Sequence, residues 1–203
     1  MSAAREVVLG RVRQALTGAA EPAPVVRGYR TATEDNLEIF LDRLRDYDAT
    51  VLRCPPDAVP ITVAARVAQQ RARRLVVPAG IPPEWVEGID VLRDEPPLSN
   101  AALDGADGVI TTCALAIAST GTIALDGTTG MGRRALSLVP DYHLCVVRAE
   151  QVVSSFPEAV AALDPHRPLT LFSGPSATVD IEMVRVSGVH GPRRLDVLVV
   201  DPA

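Results

Sequence analysis

Three segments rich in glycine, hydroxyls and acids hold most of the side chains in this sequence that could bind or transform a small molecule. The first is Ile117-Ala118-Ser119-Thr120-Gly121-Thr122. A glycine among small hydroxyl residues lets backbone N–H groups approach an anion closely, and the hydroxyls add donors. Ser119, Thr120, Gly121 and Thr122 are therefore candidate anion ligands, with an ordinary tight turn as the competing reading. The second segment, Asp126 to Arg134, sets Gly127, Gly130 and Gly132 ahead of Arg133 and Arg134. Two guanidiniums after such a loop could clamp a carboxylate or phosphate, or could simply be solvated. The GxGxxG spacing of a dinucleotide fingerprint is missing.

The third segment combines Ser173, Gly174, Ser176 and Thr178 with the acids Asp180 and Glu182, and His190 follows between two glycines. Gly-Pro and hydroxyls after a strand can form an anion-binding turn. Asp180 or Glu182 could act as a general base or hold a metal, and His143 or His190 could carry a proton. The alternative for the acids is a charge that complements a helix dipole. These roles suit an isomerase or transferase acting on a phosphorylated or carboxylated metabolite.

Composition narrows the chemistry. All 20 basic residues are arginine and none is lysine, which excludes a Walker A phosphate loop, Schiff-base aldolase chemistry and covalently anchored pyridoxal phosphate. Cys54, Cys113 and Cys145 are far apart, odd in number and form no CxxC pair, so neither a structural zinc nor an iron–sulfur cluster is expected on this chain. A net charge of −5 argues against a general nucleic-acid binder, which needs a basic stripe. No apolar run approaches the roughly 20 residues that span a bilayer, and residues 1–13 lack a signal peptide's apolar core. A cytoplasmic location is expected.

The elements that must position these residues follow from periodicity. Trp85, three tyrosines and three phenylalanines are the whole aromatic complement, so the core must be aliphatic, as suits strands covered on both faces. Residues 3–16 predict an amphipathic helix, followed by a Pro-containing linker to residue 30; packing of this helix on its own domain is favoured over packing on a partner. In residues 31–203 the pattern predicts a helix from an N-cap at Thr33 to Asp46, strands over 49–53, 74–78, 89–92, 108–112, 121–125, 143–148, 169–173 and 195–200, and helices over 61–73 and 150–163, with short turns of helix at Trp85 and after Ser99. Alternation of aliphatic strands with helices indicates an open, mostly parallel α/β sheet flanked by helices.

In order and spacing, four stretches resemble the lactate utilization protein C (LutC/YkgG) family, whose domain is the LUD domain: Ala116–Leu125, Gly132–His143, Gly174–Glu182 and Gly188–Pro192. One departure is Ser119, which stands where the family motif Ala-Glu-Thr-Gly-Thr carries its acid. The resemblance covers nearly the whole chain. It implies a fold similar to ribose-5-phosphate isomerase and the CoA transferases. It also implies a role in oxidising L-lactate to pyruvate alongside two iron–sulfur partner proteins. Clusters would then be held by those partners, with no cofactor on this chain.

Overall fold

The structure, a computed structural model, describes all residues except 1–2, 27, 29–35, 179–185, 188–190 and 203. The expected N-cap Thr33 lies outside the described residues. Two compact units divide the chain, Met1–Arg30 and Thr31–Ala203. In the first unit, helix α1 (Ala3–Leu16) has no buried residue.

In the second unit, α2 (Asn36–Asp46) turns Phe40, Leu41 and Leu44 inward, the i, i+4 stripe of a one-sided helix. Then follow β1 (Thr50–Cys54), α3 (Val59–Gln69), β2 (Arg74–Val77), β3 (Asp90–Arg93), α4 (Asn100–Asp104) and β4 (Gly108–Thr111). The second half continues with β5 (Leu115–Ile117), β6 (Thr122–Leu125), α5 (Ala135–Leu138), β7 (Tyr142–Arg148), β8 (Val152–Val153), α6 (Phe156–Ala162), β9 (Thr170–Phe172), β10 (Ala177–Thr178), β11 (Val186–Ser187) and β12 (Arg194–Val200).

The main sheet has the order β1-β12-β7-β4-β2-β3, and every pairing in it is parallel. Strands β7 and β12 are buried along all but one residue each, because both of their faces are covered and a parallel strand then reads as an unbroken apolar run. One face, with Leu144, Val146 and Leu198, packs against Val59, Val63 and Val67 of α3. From β2 the chain moves outward to β3, whereas from β4 it moves the opposite way to β7 and β12. The strand order thus reverses between β2 and β4.

Two expectations need correction. The opposite face of the sheet, carrying Cys145, Val147, Val197 and Val199, is covered by α2 and by residues of a second sheet rather than by helices alone. That second sheet is mixed, ordered β8-β5-β6-β9, and it takes up the strand expected at 121–125. The helix expected over 150–163 is also shorter. Its first part is a 3₁₀ turn at Ala149–Gln151 and strand β8, and only Phe156–Ala162 is α-helical. β-branched Val152 and Val153 pair with β5 instead. The Gln151 side chain anchors the turn by donating to the Cys113 carbonyl at 2.7 Å. Pro157 is then tolerated because it falls in the first turn of α6.

Candidate functional site

A cavity of about 660 Å³ opens at the amino ends of β7 and β12, beneath the second sheet. His143 and Leu195, the second residues of those strands, form its inner wall, Phe172 of β9 faces them, and Tyr47 and the Ser173–Ala177 loop close one side. Gly174 lets that loop lie against α2's end: a Cβ there would stand 2.7 Å from the Tyr47 Cβ. Ser176 N–H donates to the Pro192 carbonyl at 2.8 Å, tying the loop to the chain just before β12.

His143 is buried, and burial pushes its pKa down to about 3, so the ring is neutral near pH 7. Its Nε2 lies 2.7 Å from Thr111 Oγ1. The Thr111 hydroxyl also lies 3.7 Å from Cys145 Sγ, so the imidazole and the thiol share it. The Phe172 ring lies 5.2 Å from the imidazole, centroid to centroid. His143 is therefore an oriented, uncharged hydrogen-bonding group rather than a cation.

The first segment reaches this cavity indirectly. Ser119 and Thr120 are exposed, and Ser119 N–H donates to the Ser154 carbonyl at 3.1 Å. Gly121, at φ +63°, backs onto α2, where an added Cβ would meet Arg43 Cβ at 2.8 Å. Hydroxyls then run inward: Thr120 Oγ1 to Thr122 Oγ1 at 2.7 Å, and Thr122 Oγ1 to Ser173 Oγ at 2.7 Å. Ser173 lines the cavity, so the first and third segments meet through shared hydroxyls.

The second segment lines an adjoining pocket of about 300 Å³ with Gly132, Arg133, Arg134 and Arg167. Ser137 and Thr170 border both spaces. Arg133 is engaged by Asp94 at 2.8 Å. Arg134 is exposed and makes no ion pair among the described residues, so it is the guanidinium best placed for an incoming anion. Arg167 sits 3.5 Å from Asp164 and 4.0 Å from Asp126.

Thr178 falls in β10, one residue past the cavity wall. Asp180, Glu182 and His190 lie outside the described residues. Tyr47, Ser137, Arg167 and Phe172 are wall residues that sequence reasoning missed. Ser137 follows directly on the flagged arginines, but nothing local marks Tyr47, which reaches the site only through the packing of α2. Cys113 and Cys145 are buried and their thiols are pushed up by burial, Cys145 to about 12, so neither is a ready nucleophile.

Fold and cavity together define an α/β domain whose parallel sheet is backed by a small mixed sheet, with a partly apolar, hydroxyl-lined cavity between them. The chain belongs to the LUD domain family, whose model matches residues 26–200. It is 50% identical over 198 residues to lactate utilization protein C of Deinococcus radiodurans, which covers 95% of this chain and 90% of that protein. It is also 32% identical to the uncharacterized protein YkgG of Escherichia coli over 76 residues, 34% of this chain and 33% of that protein. A crystal structure of a DUF162 family protein from Deinococcus radiodurans superposes with a TM-score of 0.69 at 45% identity, covering 87% of this chain and 99% of that one. Among the described residues no helix is long and apolar enough to cross a membrane.

Proposed function

We propose that this chain is a cytoplasmic accessory component of a lactate utilization system. In this reading it binds a small anionic metabolite and holds no redox centre. Two iron–sulfur proteins carry the electrons as L-lactate becomes pyruvate. The observation that carries the reading is the 50% identity to lactate utilization protein C across 95% of the chain. The two neighbouring cavities support the anion. Arg134 supplies the charge, Ser173 and Ser137 supply hydroxyls, and the neutral His143 supplies an oriented ring. A carboxylate seated there would be met by a guanidinium able to bind it through two hydrogen bonds.

The test is L-lactate oxidation by the two iron–sulfur partners, followed with an artificial electron acceptor, with and without this purified chain. Strong stimulation that is lost on Arg134→Gln supports the reading. Partners that are fully active and stable without the chain overturn it. Weight then passes to a stand-alone enzyme similar to ribose-5-phosphate isomerase or the CoA transferases, a reading favoured by the hydroxyls, imidazole and arginine that line the two neighbouring cavities. A screen for turnover of phosphorylated and carboxylated metabolites examines that alternative directly.

A further inference from the structure

On the opposite edge of the parallel sheet, at the carboxyl ends of β2, β4 and β7, lies a crevice of about 430 Å³ bordered by Gly80, Trp85, Thr112, Thr129, Arg148 and Glu150. We infer that this crevice is a second ligand site that takes a nucleoside monophosphate, with the base against Trp85, the phosphate on Arg148 and the ribose hydroxyls on Glu150.

Its position is the first argument. The strand order reverses between β2 and β4, and open α/β sheets bind ligands in the crevice outside the carboxyl ends of strands at such a reversal. The connections there leave in opposite directions.

The floor of the crevice is built and rigid. Gly130 N–H donates to the Ala79 carbonyl at 2.8 Å, and Thr112 N–H donates to the Gly130 carbonyl at 2.9 Å. The glycine loop is thus stitched to the ends of both β2 and β4. Gly130 adopts φ +84°, and a side chain there would collide with Thr112. The loop's donors are largely spent: Met131 and Gly132 N–H both turn back to the Thr128 carbonyl. Little backbone remains to cradle a polyphosphate, which limits the anion to one that a single guanidinium can hold.

The side chains supply the rest. Arg53, Arg66, Arg74, Arg133 and Arg194 all pair with carboxylates. Arg148 and Glu150 are exposed, and neither side chain makes an ion pair among the described residues. Opposite charges two residues apart, both left for solvent at a strand end, suit a ligand with an anion at one end and hydroxyl donors nearby. Trp85 borders the crevice half-buried, an aromatic ring of the kind on which bases stack. The volume falls in the range of small-molecule sites.

Trp85 is the only tryptophan in the chain, so its emission reports on this crevice. The full-length protein is titrated with adenosine monophosphate, ribose 5-phosphate and inorganic phosphate while tryptophan fluorescence is followed. We expect a saturable change with the nucleotide, and binding at least about tenfold tighter than phosphate alone. Arg148→Gln should weaken nucleotide binding about tenfold, Glu150→Gln severalfold, and Arg134→Gln in the other cavity not at all. Circular dichroism confirms that these surface variants remain folded. The inference is overturned by the absence of a saturable change, by equal affinity for inorganic phosphate, by unaltered affinity in Arg148→Gln, or by loss of binding in Arg134→Gln. The lactate assay of the proposed function is read separately, so either idea can fail without the other.

Discussion

Arg133 and Asp94 meet as a bidentate pair, with Nε to Oδ2 at 2.8 Å and Nη2 to Oδ1 at 3.0 Å. Nη2 also donates to the Leu98 carbonyl at 2.7 Å. Burial alone would raise the Asp94 carboxyl, but the Arg133 guanidinium and the Leu98 N–H outweigh it and hold that group below its usual range. This pair fastens the start of α5 to the segment after β3, so Arg133 serves the fold while its neighbour Arg134 faces solvent. Arg133→Gln should cost about 1–2 kcal/mol, allowing for partial exposure. Arg134→Gln should change stability by less than about 0.5 kcal/mol yet weaken binding of a small carboxylate or phosphate. Urea unfolding and calorimetric titration of both variants separate the two roles.

Gly121 carries a backbone requirement. Its φ of +63° is the left-handed region, and a Cβ would come within 2.8 Å of Arg43 Cβ and 3.1 Å of the Arg43 carbonyl carbon. The second contact is with helix backbone, which cannot swing aside. Gly121→Ala should therefore destabilise by about 2–3 kcal/mol, combining the left-handed penalty with overpacking. A chemical denaturation midpoint that does not move would show that α2 can retreat from the turn.

His143 gives the fold a pH dependence. The ring ordinarily titrates at 6.5, and burial lowers it to about 3. Between those values the unfolded chain takes up a proton that the folded chain does not. Stability from this group is full above pH 6.5 and is lost progressively as pH falls toward 3. The loss is at most about 5 kcal/mol. His143→Gln, which keeps a hydrogen-bonding partner for Thr111, should flatten the difference in stability between neutral and acid pH relative to the parent. Parallel curves for the two proteins would mean that the imidazole is protonated inside the fold.

The parallel sheet was legible because strands such as β7 and β12 are aliphatic runs too short for helices and bounded by turn residues. The second sheet was legible only in part: β6 and β9 were expected as strands, at 121–125 and 169–173, but not as a separate sheet. β5 and β8 are three and two residues long, too short for a period to register, and β8 hides inside a stretch whose composition reads as helix. At the site, local chemistry flagged Ser173, Gly174, Ser176 and His143, which the fold does bring to one cavity. Proximity could not reveal that Arg133 is engaged, since Asp94 lies 39 residues earlier. Nor could it place Gly121 against α2.

The same long-range logic governs Asp196, which stands on β12 buried to 1% exposure. Its Oδ2 accepts from Arg66 Nη2 at 2.8 Å, from Arg66 Nε at 3.0 Å and from the Tyr142 hydroxyl at 2.7 Å. Its Oδ1 has no hydrogen-bond partner among the described residues. One carboxylate thus ties α3, β7 and β12 together, and it also deepens the effect of burial in pushing the Tyr142 phenol up. Desolvating two charges offsets much of their attraction, so the pair contributes little net stability while the loss of one partner is severe. Asp196→Ala should cost about 3–5 kcal/mol, because Arg66 is left charged against an apolar face. The double variant Arg66→Met, Asp196→Leu should recover most of that loss. Equilibrium unfolding of the two single variants and the double one closes the cycle. If the double variant loses as much as the single costs combined, the network stabilises the fold outright and the desolvation argument fails here.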